Sequence, residues 1–359
     1  MRYDERYTLY VRETGLLPFI QLVSRSTPPL NAAAITALVD RWRPEIHSFH
    51  LRTGEMTVTL QDIAMIVGLP IEGNPLCMST DSDGWREQMH ALIANEDEVK
   101  TYSHVYMWYV ISRTMFADGT GKNVPWMWLK ALTVFDRKWS WGSATLAYLY
   151  RQLDDACCRK SGGIGGCMLA LSIWSWERLP VGRPKTVKYE DWDDKDDPLW
   201  LPSWAYKWDV LNETTDEPSI MYKLYTSKLD TITAEQVEWE PYGRGDSFVE
   251  LHLPHRVYRQ FGLFQPHPPE WEDTDKLLHA LDRRKQRKVK DWDKHHRKYV
   301  IQFTLSVEQA KAGKRAQLRE HCRSRSTTIS HGFLQVPMWR YASRRMLRRF
   351  WKIPPSSMS

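Results

Sequence analysis

The chain has 359 residues and a net charge of +6, and 42% of its residues are hydrophobic and 12% aromatic. A chain of this length and composition can bury a large core in one to three domains. No run of about 18 apolar residues occurs, so we expect no membrane span. The five cysteines are an odd number without a Cys-x-x-Cys pair, and no signal peptide is recognisable, which indicates free thiols in a reducing compartment rather than a disulfide framework.

Charge is distributed unevenly along the chain. Residues 276–359 contain 22 Lys and Arg against 5 Asp and Glu, a net charge of +17, which leaves −11 for residues 1–275. We therefore predict three parts. An N-terminal segment over residues 1–29 leads into an acidic folded domain over 30–275, and a basic helical arm, partly disordered, follows over 276–359.

The N-terminal segment is predicted to contain one short helix, and a second helix is predicted to start after the N-cap residue Asn31. Proline has no N–H and disfavours a helical conformation in the residue before it, so the second helix is expected to end at Pro44. Its apolar residues recur at helical spacing and are expected on one buried face: Ile35, Leu38, Val39 and Trp42.

A β-hairpin is predicted next, because two short apolar runs, residues 46–51 and 56–60, flank a turn at Thr53-Gly54. The following helix is expected to start with a capping box and to stop at a left-handed glycine, as indicated by the spacing of Thr59, Asp62 and Gly68. Its buried face is expected to consist of Ile63, Ile66 and Val67.

Four more helices are predicted, over residues 104–116, 125–135, 143–153 and 167–177. The first places Val105, Trp108, Tyr109 and Met115-Phe116 at helical spacing. The third is expected to be capped by Ser143, and the last is apolar enough for the centre of the core. Residues 180–220 are rich in Pro, Asp and Trp without a period and are interpreted as an irregular surface excursion. The predicted fold is mainly α, a single compact helical domain with a small β-hairpin and a basic helical C-terminal arm.

Several of these stretches resemble the plant mobile domain, also called the aminotransferase-like plant mobile domain, of maintenance-of-meristems-like proteins and plant transposable elements. The similarity spans roughly residues 16–265, and the family pattern is shortened here near residues 94–100 and 247–250. The motifs that carry it are WRPEIHSFHLRTGEMTVTLQDIAMIVGLPIEG from Trp42, SWGSATLAYLYRQL from Ser140, GGIGGCMLALSIWSWERLPVGRP from Gly162, VEWEPYG from Val237 and HRVYRQFGLFQ from His255.

The resemblance identifies six signature residues as candidates for a partner surface: Trp42, Arg43, Glu45, His47, His50 and Glu55. His47 and His50 are three residues apart, so on a strand they would point to opposite faces and could not easily ligate one metal ion. We therefore expect a scaffold or partner-binding role, with an Arg–Glu or His–Glu network pinning a helix to the hairpin. Metal or acid–base chemistry is the alternative.

Other candidate sites lack the features that their chemistry requires. Gly162–Gly166 has neither a Gly-x-Gly-x-x-Gly nor a Gly-Lys-Ser/Thr pattern and is interpreted as a connector between helices. Asp191–Asp197 has Lys195 where a calcium loop needs an oxygen ligand, so we expect a solvated loop. The aminotransferase-like label would imply pyridoxal phosphate, but no phosphate-binding loop singles out a lysine. We expect no cofactor, no metal and no catalytic residue.

The basic arm contains the sharpest local signal, six basic residues within eight positions: Arg283, Arg284, Lys285, Arg287, Lys288 and Lys290. Such a cluster is typical of a nuclear import signal or a nucleic-acid-binding patch, and a solvated helix face is the alternative. No zinc finger or helix-turn-helix signature accompanies it, so sequence-specific binding is not supported.

By resemblance, the expected function is that of a non-enzymatic nuclear protein in transposon silencing, gene-expression control and meristem maintenance. Its expected partners are other proteins, a phosphatase-like protein among them, and chromatin or nucleic acid through the arm. A transposable-element-derived domain without host function and an enzyme with an unrecognised site are the alternatives.

Overall fold

The computed structural model describes most of the predicted domain. The described residues are 3–24, 30–76, 98–119, 127–133, 138–158, 163–187, 203–208 and 217–242, with isolated positions at 87, 124–125, 297 and 301. Within these ranges the fold is mainly helical with one small antiparallel sheet, which confirms the predicted fold class. Of the predicted basic arm, Arg297 and Ile301 are helical and exposed, and its other residues, including the six-residue basic cluster, lie outside the described ranges.

The N-terminal segment forms more than the single helix predicted. A 3₁₀ turn over Glu5–Tyr7 leads into helix α1 (Thr8–Glu13), and helix α2 (Leu17–Ser24) follows after a short turn. Val11 in α1 and Phe19 in α2 are fully buried, so this segment is part of the core.

Helix α3 (Ala32–Val39) begins where predicted but ends early. The Asn31 side chain accepts the Ala34 N–H at 3.0 Å, as expected of an N-cap. The prediction that the helix continues to Pro44 was wrong, because Trp42–Arg43 form strand β1. The backbone N–H of His50 bonds to the Arg41 carbonyl at 2.8 Å, so the chain leaves the helix to pair with the hairpin.

The sheet has three strands in the order β1-β2-β3, where β2 is Ser48–Leu51 and β3 is Gly54–Met56. The hairpin is confirmed, but its strands are shorter than predicted. Its turn lies at residues 52–53 rather than at Thr53-Gly54. Strand β3 ends at Met56, and Leu60, the last residue of the predicted run, begins helix α4 (Leu60–Val67).

Helix α4 has the predicted termini. Thr59 and Asp62 form a reciprocal capping box, and Gly68 adopts the left-handed conformation (φ 69°) that ends the helix. A Cβ atom at Gly68 would also lie 2.8 Å from the Pro18 side chain, so only glycine fits this close approach to α2. All residues from Gln61 to Val67 are buried, not one face alone, because α4 is surrounded by other elements.

The next helices are α5 (Glu98–Thr114), α6 (Met127–Thr133), α7 (Trp141–Cys157) and α8 (Met168–Arg178). Of the residues at helical spacing in α5, Tyr109 is 39% exposed, while its neighbours Tyr106 and Met107 are buried. Ser140, not Ser143, is the N-cap of α7. The predicted burial is confirmed along α7 and throughout α8 from Leu169.

Two parts of the predicted surface excursion are structured. A 3₁₀ turn over Trp204–Trp208 buries both of these tryptophans, and helix α9 (Pro218–Thr231) begins within the range interpreted as irregular. Helix α9 packs against α3, where Asn31 donates to the Tyr225 hydroxyl at 2.8 Å. A short 3₁₀ turn, Ala234–Gln236, follows. Among the described residues, no helix has the length and apolar character to cross a membrane.

Candidate partner-binding surface

The signature hairpin has a buried face and a solvent-facing one. On the inner face the strand register aligns Trp42, Phe49 and Met56, all of them in the core. On the outer face His50 is opposite Glu55, with 3.3 Å between His50 Nε2 and Glu55 Oε1. This pair is the His–Glu contact foreseen from the sequence, but it joins two strands rather than a helix to the hairpin.

The link between the hairpin and a helix is made by Asp154 of α7, a residue that the sequence analysis did not single out. Trp42 Nε1 donates to Asp154 Oδ1 at 2.7 Å, and His47 Nε2 lies 3.3 Å from Asp154 Oδ2. Asp154 is 1% exposed. These two contacts satisfy both carboxylate oxygens of a buried group, which would otherwise be costly to bury.

His47 is held in an unusual backbone conformation. Its φ of 48° makes it the one non-glycine residue with positive φ in the described part of the chain. The Thr57 hydroxyl donates to the His47 carbonyl at 2.7 Å, and the imidazole stacks on the Tyr150 ring with centroids 5.3 Å apart. A left-handed conformation costs about 1–3 kcal/mol in a residue other than glycine, so these contacts must outweigh it.

The six signature residues therefore divide into anchors and surface groups. Trp42 is in the core and His47 is largely buried beside Asp154, whereas Arg43, Glu45 and His50 are exposed and Glu55 is half-buried. The two histidines contact different carboxylates and do not converge on one point. Throughout the described ranges, no group of three or more His, Cys, Asp or Glu side chains is arranged to hold a metal ion.

A second polar cluster lies deep in the domain around Arg178 and Asp62. Arg178 donates to Asp62 Oδ1 from Nε at 3.2 Å and from Nη2 at 2.8 Å, and its Nη1 donates to the Trp239 carbonyl at 2.6 Å. The Tyr242 hydroxyl donates to the same Asp62 oxygen at 2.7 Å. Burial and the neighbouring Asp62 raise the pKa of Tyr242 well above its ordinary value, so the phenol stays protonated.

Glu177 forms a third buried contact, with Lys207 at 2.7 Å and with the indole N–H of Trp208. Burial raises the pKa of Glu177, and Lys207 opposes that rise. The Lys207 ammonium also lies 5.3 Å from the Trp204 ring centroid and 5.0 Å from that of Trp208. The buried charges of these clusters are thus engaged with groups of the fold itself.

The glycine-rich connector has a packing role in the structure. Gly166 donates its backbone N–H to the Ala117 carbonyl at 2.7 Å, and a Cβ atom at Gly165 would lie 2.6 Å from that same oxygen. The loop therefore requires glycine for close approach to the end of α5. Asp191–Asp197 lies outside the described ranges.

The comparisons with known proteins agree with the motifs. Residues 18–104 and 98–248 match the family model described as the plant mobile domain. The chain belongs to the plant mobile domain family. This result confirms the family expected from the sequence.

Relatives from Arabidopsis thaliana extend the match. The chain is 34% identical to the serine/threonine-protein phosphatase 7 long form homolog, over 79% of this chain and 25% of that protein. It is 29% identical to Protein MAIN-LIKE 1, over 70% and 58% of the two chains, and 28% identical to Protein MAINTENANCE OF MERISTEMS, over 67% and 59%. The chain thus spans a quarter of the first relative and little more than half of the others. No solved structure matched it.

Proposed function

We propose that this plant mobile domain chain is a non-enzymatic nuclear protein that acts in meristem maintenance, transposon silencing and gene-expression control. The observation that carries the proposal is its similarity to Protein MAINTENANCE OF MERISTEMS and Protein MAIN-LIKE 1. The domain supplies contacts to other proteins, a phosphatase-like protein among them. The basic arm, with net charge +17, supplies contacts to chromatin or nucleic acid.

The arrangement of charged groups supports a binding role for the domain rather than catalysis. The carboxyl groups of Asp62, Asp154 and Glu177 each accept a hydrogen bond from an interior donor, so they are engaged within the fold. By contrast, three side chains of the hairpin region are exposed and accessible to a partner: Arg43, Glu45 and His50. Binding residues are often found on loops and turns that a rigid scaffold positions.

The first experiment compares localisation and pull-down partners of the tagged chain in plant cells. The test variant changes the basic cluster to alanine: Arg283, Arg284, Lys285, Arg287 and Lys288. A matched control changes the second basic group of the arm: Arg344, Arg345, Arg348 and Arg349. We expect nuclear wild type and control, and displacement of the test variant alone.

Partner binding is tested with a surface variant that leaves the anchors Trp42 and His47 in place. Arg43→Ala with His50→Ala should abolish recovery of a phosphatase-like or chromatin partner while the protein stays nuclear. Wild type that is excluded from the nucleus would refute the proposal. Aggregated wild type without partners would instead favour a transposable-element-derived domain, and an absorbance band from bound cofactor in purified protein would favour an enzyme.

A further inference from the structure

Helix α5 presents one narrow strip of exposed side chains to solvent. Because an α-helix has 3.6 residues per turn, the exposed residues of α5 lie within about 60° of one another around its axis. We call them the α5 strip: Glu98, Tyr102, Tyr109 and Arg113. Its two tyrosines are large apolar groups in water, with Tyr102 51% and Tyr109 39% exposed.

The elements packed against α5 lie on either side of the strip. On one side the rings of Tyr3 and Tyr7 are each 5.7 Å from the ring of Tyr106. On the other side Trp108 Nε1 donates to the Pro125 carbonyl at 2.8 Å, just before α6. These contacts hold α5 firmly in the domain, so the strip is a preformed surface on a rigid helix.

The strip has the composition of a protein interface, where tyrosine and arginine are enriched. The Arg113 guanidinium lies 6.0 Å from the Tyr109 ring centroid, so its charge is held along the strip. Glu98 is in the first turn of the helix and Arg113 in the last. With a rise of 1.5 Å per residue, opposite charges are therefore about 22 Å apart at the two ends of an aromatic surface.

The order of these residues makes the strip complementary to itself. The pair Glu98 and Arg113 and the pair Tyr102 and Tyr109 have the same midpoint, between residues 105 and 106. A two-fold axis through that midpoint places a second copy of α5 antiparallel to the first. Glu98 of each copy then lies opposite Arg113 of the other, and the four tyrosines meet in the middle. A parallel pair would instead bring like charges together.

We propose that the α5 strip is a homodimer interface, in which two copies of this chain pair through antiparallel α5 helices. Two ion pairs close the ends of the interface, and the aromatic contacts fill its centre. The antiparallel arrangement also aligns the positive end of each helix dipole with the negative end of the other. One helix pair buries less than the roughly 1,600 Å² of a standard interface, so the dimer is reversible. This inference goes beyond the proposed nuclear function and does not rest on it.

Sedimentation equilibrium of the full-length chain at about 0.15 M salt is the test, since ion pairs are screened at higher salt. We expect a monomer–dimer equilibrium for wild type. Glu98→Lys and Arg113→Glu each bring like charges together at both ends, so each should raise the dimer dissociation constant at least about tenfold. An equimolar mixture of these two variants should restore dimerisation, because both ends of the mixed dimer again join opposite charges.

Tyr102→Ala with Tyr109→Ala should also weaken the dimer at least about tenfold. The matched control is Ile220→Ala with Leu224→Ala, which removes two exposed apolar side chains from α9 and should leave the dimer unchanged. Circular dichroism and thermal unfolding of all variants separate loss of the dimer from loss of the fold. A mixture no more dimeric than the single variants would overturn the proposal. Monomeric wild type would also overturn it, and loss of a pull-down partner by the double tyrosine variant would then assign the strip to a different protein.

Discussion

At the scale of single residues, the buried ion pair of Arg178 and Asp62 has a large desolvation cost, which its hydrogen bonds offset. Both side chains are almost completely shielded from water, and desolvation of two charges is offset only when geometry and additional hydrogen bonds are good. Asp62 meets that condition, since it accepts from Arg178, Tyr242 and the Thr59 backbone. The pair is therefore tolerated as a complete set and vulnerable to loss of one member.

Arg178→Ala should lower the free energy of unfolding by about 3–5 kcal/mol, because it leaves the Asp62 carboxylate buried without its cation. Urea denaturation followed by tryptophan fluorescence measures the change. Arg43→Ala is the control, since Arg43 is exposed and its loss should cost no more than about 0.5 kcal/mol. If both substitutions lowered the free energy of unfolding equally, the buried ion pair would contribute no more to stability than an exposed arginine.

Glu177 gives a prediction about pH. A carboxyl group whose folded-state pKa is raised binds its proton more tightly when folded. Its stabilising contribution is therefore complete below its ordinary pKa of 4.5 and is lost as the pH rises through the raised value. The stability of wild type relative to Glu177→Gln should fall from pH 4.5 upward, as measured by urea denaturation of both proteins across that range. If the stability of wild type relative to Glu177→Gln instead rose with pH, the raised pKa of Glu177 would be contradicted.

At the scale of elements, the helix termini whose caps depend on nearby residues were predictable from the sequence. The caps at Asn31 and at Thr59–Asp62 and the stop at Gly68 involve partners within a few residues, so their chemistry is visible in the local pattern. Trp42 was assigned to the wrong element because helical spacing and strand pairing both bury it, and its pairing with Phe49 depends on the folded hairpin.

Helix α9 and the role of Asp154 were not predicted, because neither has a clear signal in the nearby sequence. Helix α9 buries Tyr225 and Leu229 but exposes Ile220 and Leu224, so its sequence shows no clear apolar face. Asp154 is separated from Trp42 by 112 positions, and nothing in its own neighbourhood indicates that contact. The surface residues of the hairpin were thus predictable, whereas the residue that supports them from α7 was not.

The start of α4 gives a prediction for one element. Thr59→Ala removes the hydroxyl that donates to Asp62 Oδ2 at 2.6 Å and accepts the Asp62 N–H at 3.2 Å, so it should destabilise the protein by about 1 kcal/mol. Chemical denaturation measures this loss. Thr36→Ala, on the exposed side of α3, is the control and should change stability by less than about 0.5 kcal/mol.

At the scale of the whole molecule, net charge separates the chain into an acidic part and a basic arm. If the arm binds phosphates through its six-residue cluster, log affinity should fall linearly with log salt concentration. The slope is about −0.9 per neutralised phosphate, or about −5 for six contacts on duplex DNA. Fluorescence anisotropy with a DNA duplex at several salt concentrations measures it. Changing the five residues Arg283, Arg284, Lys285, Arg287 and Lys288 to alanine should leave a slope near −1, and an unchanged slope would place binding elsewhere.

The contacts of Asp62 also impose an order on synthesis. Asp62 leaves the ribosome first, Arg178 follows 116 residues later, and Tyr242 is 180 residues behind Asp62. Until the last of these emerges, the nascent chain holds an acidic group destined for the interior without its full set of donors, so native closure must wait for nearly the whole domain. A chain that ends before Tyr242 would lack one donor to the buried Asp62 carboxylate, and we expect it to be less stable than the full chain.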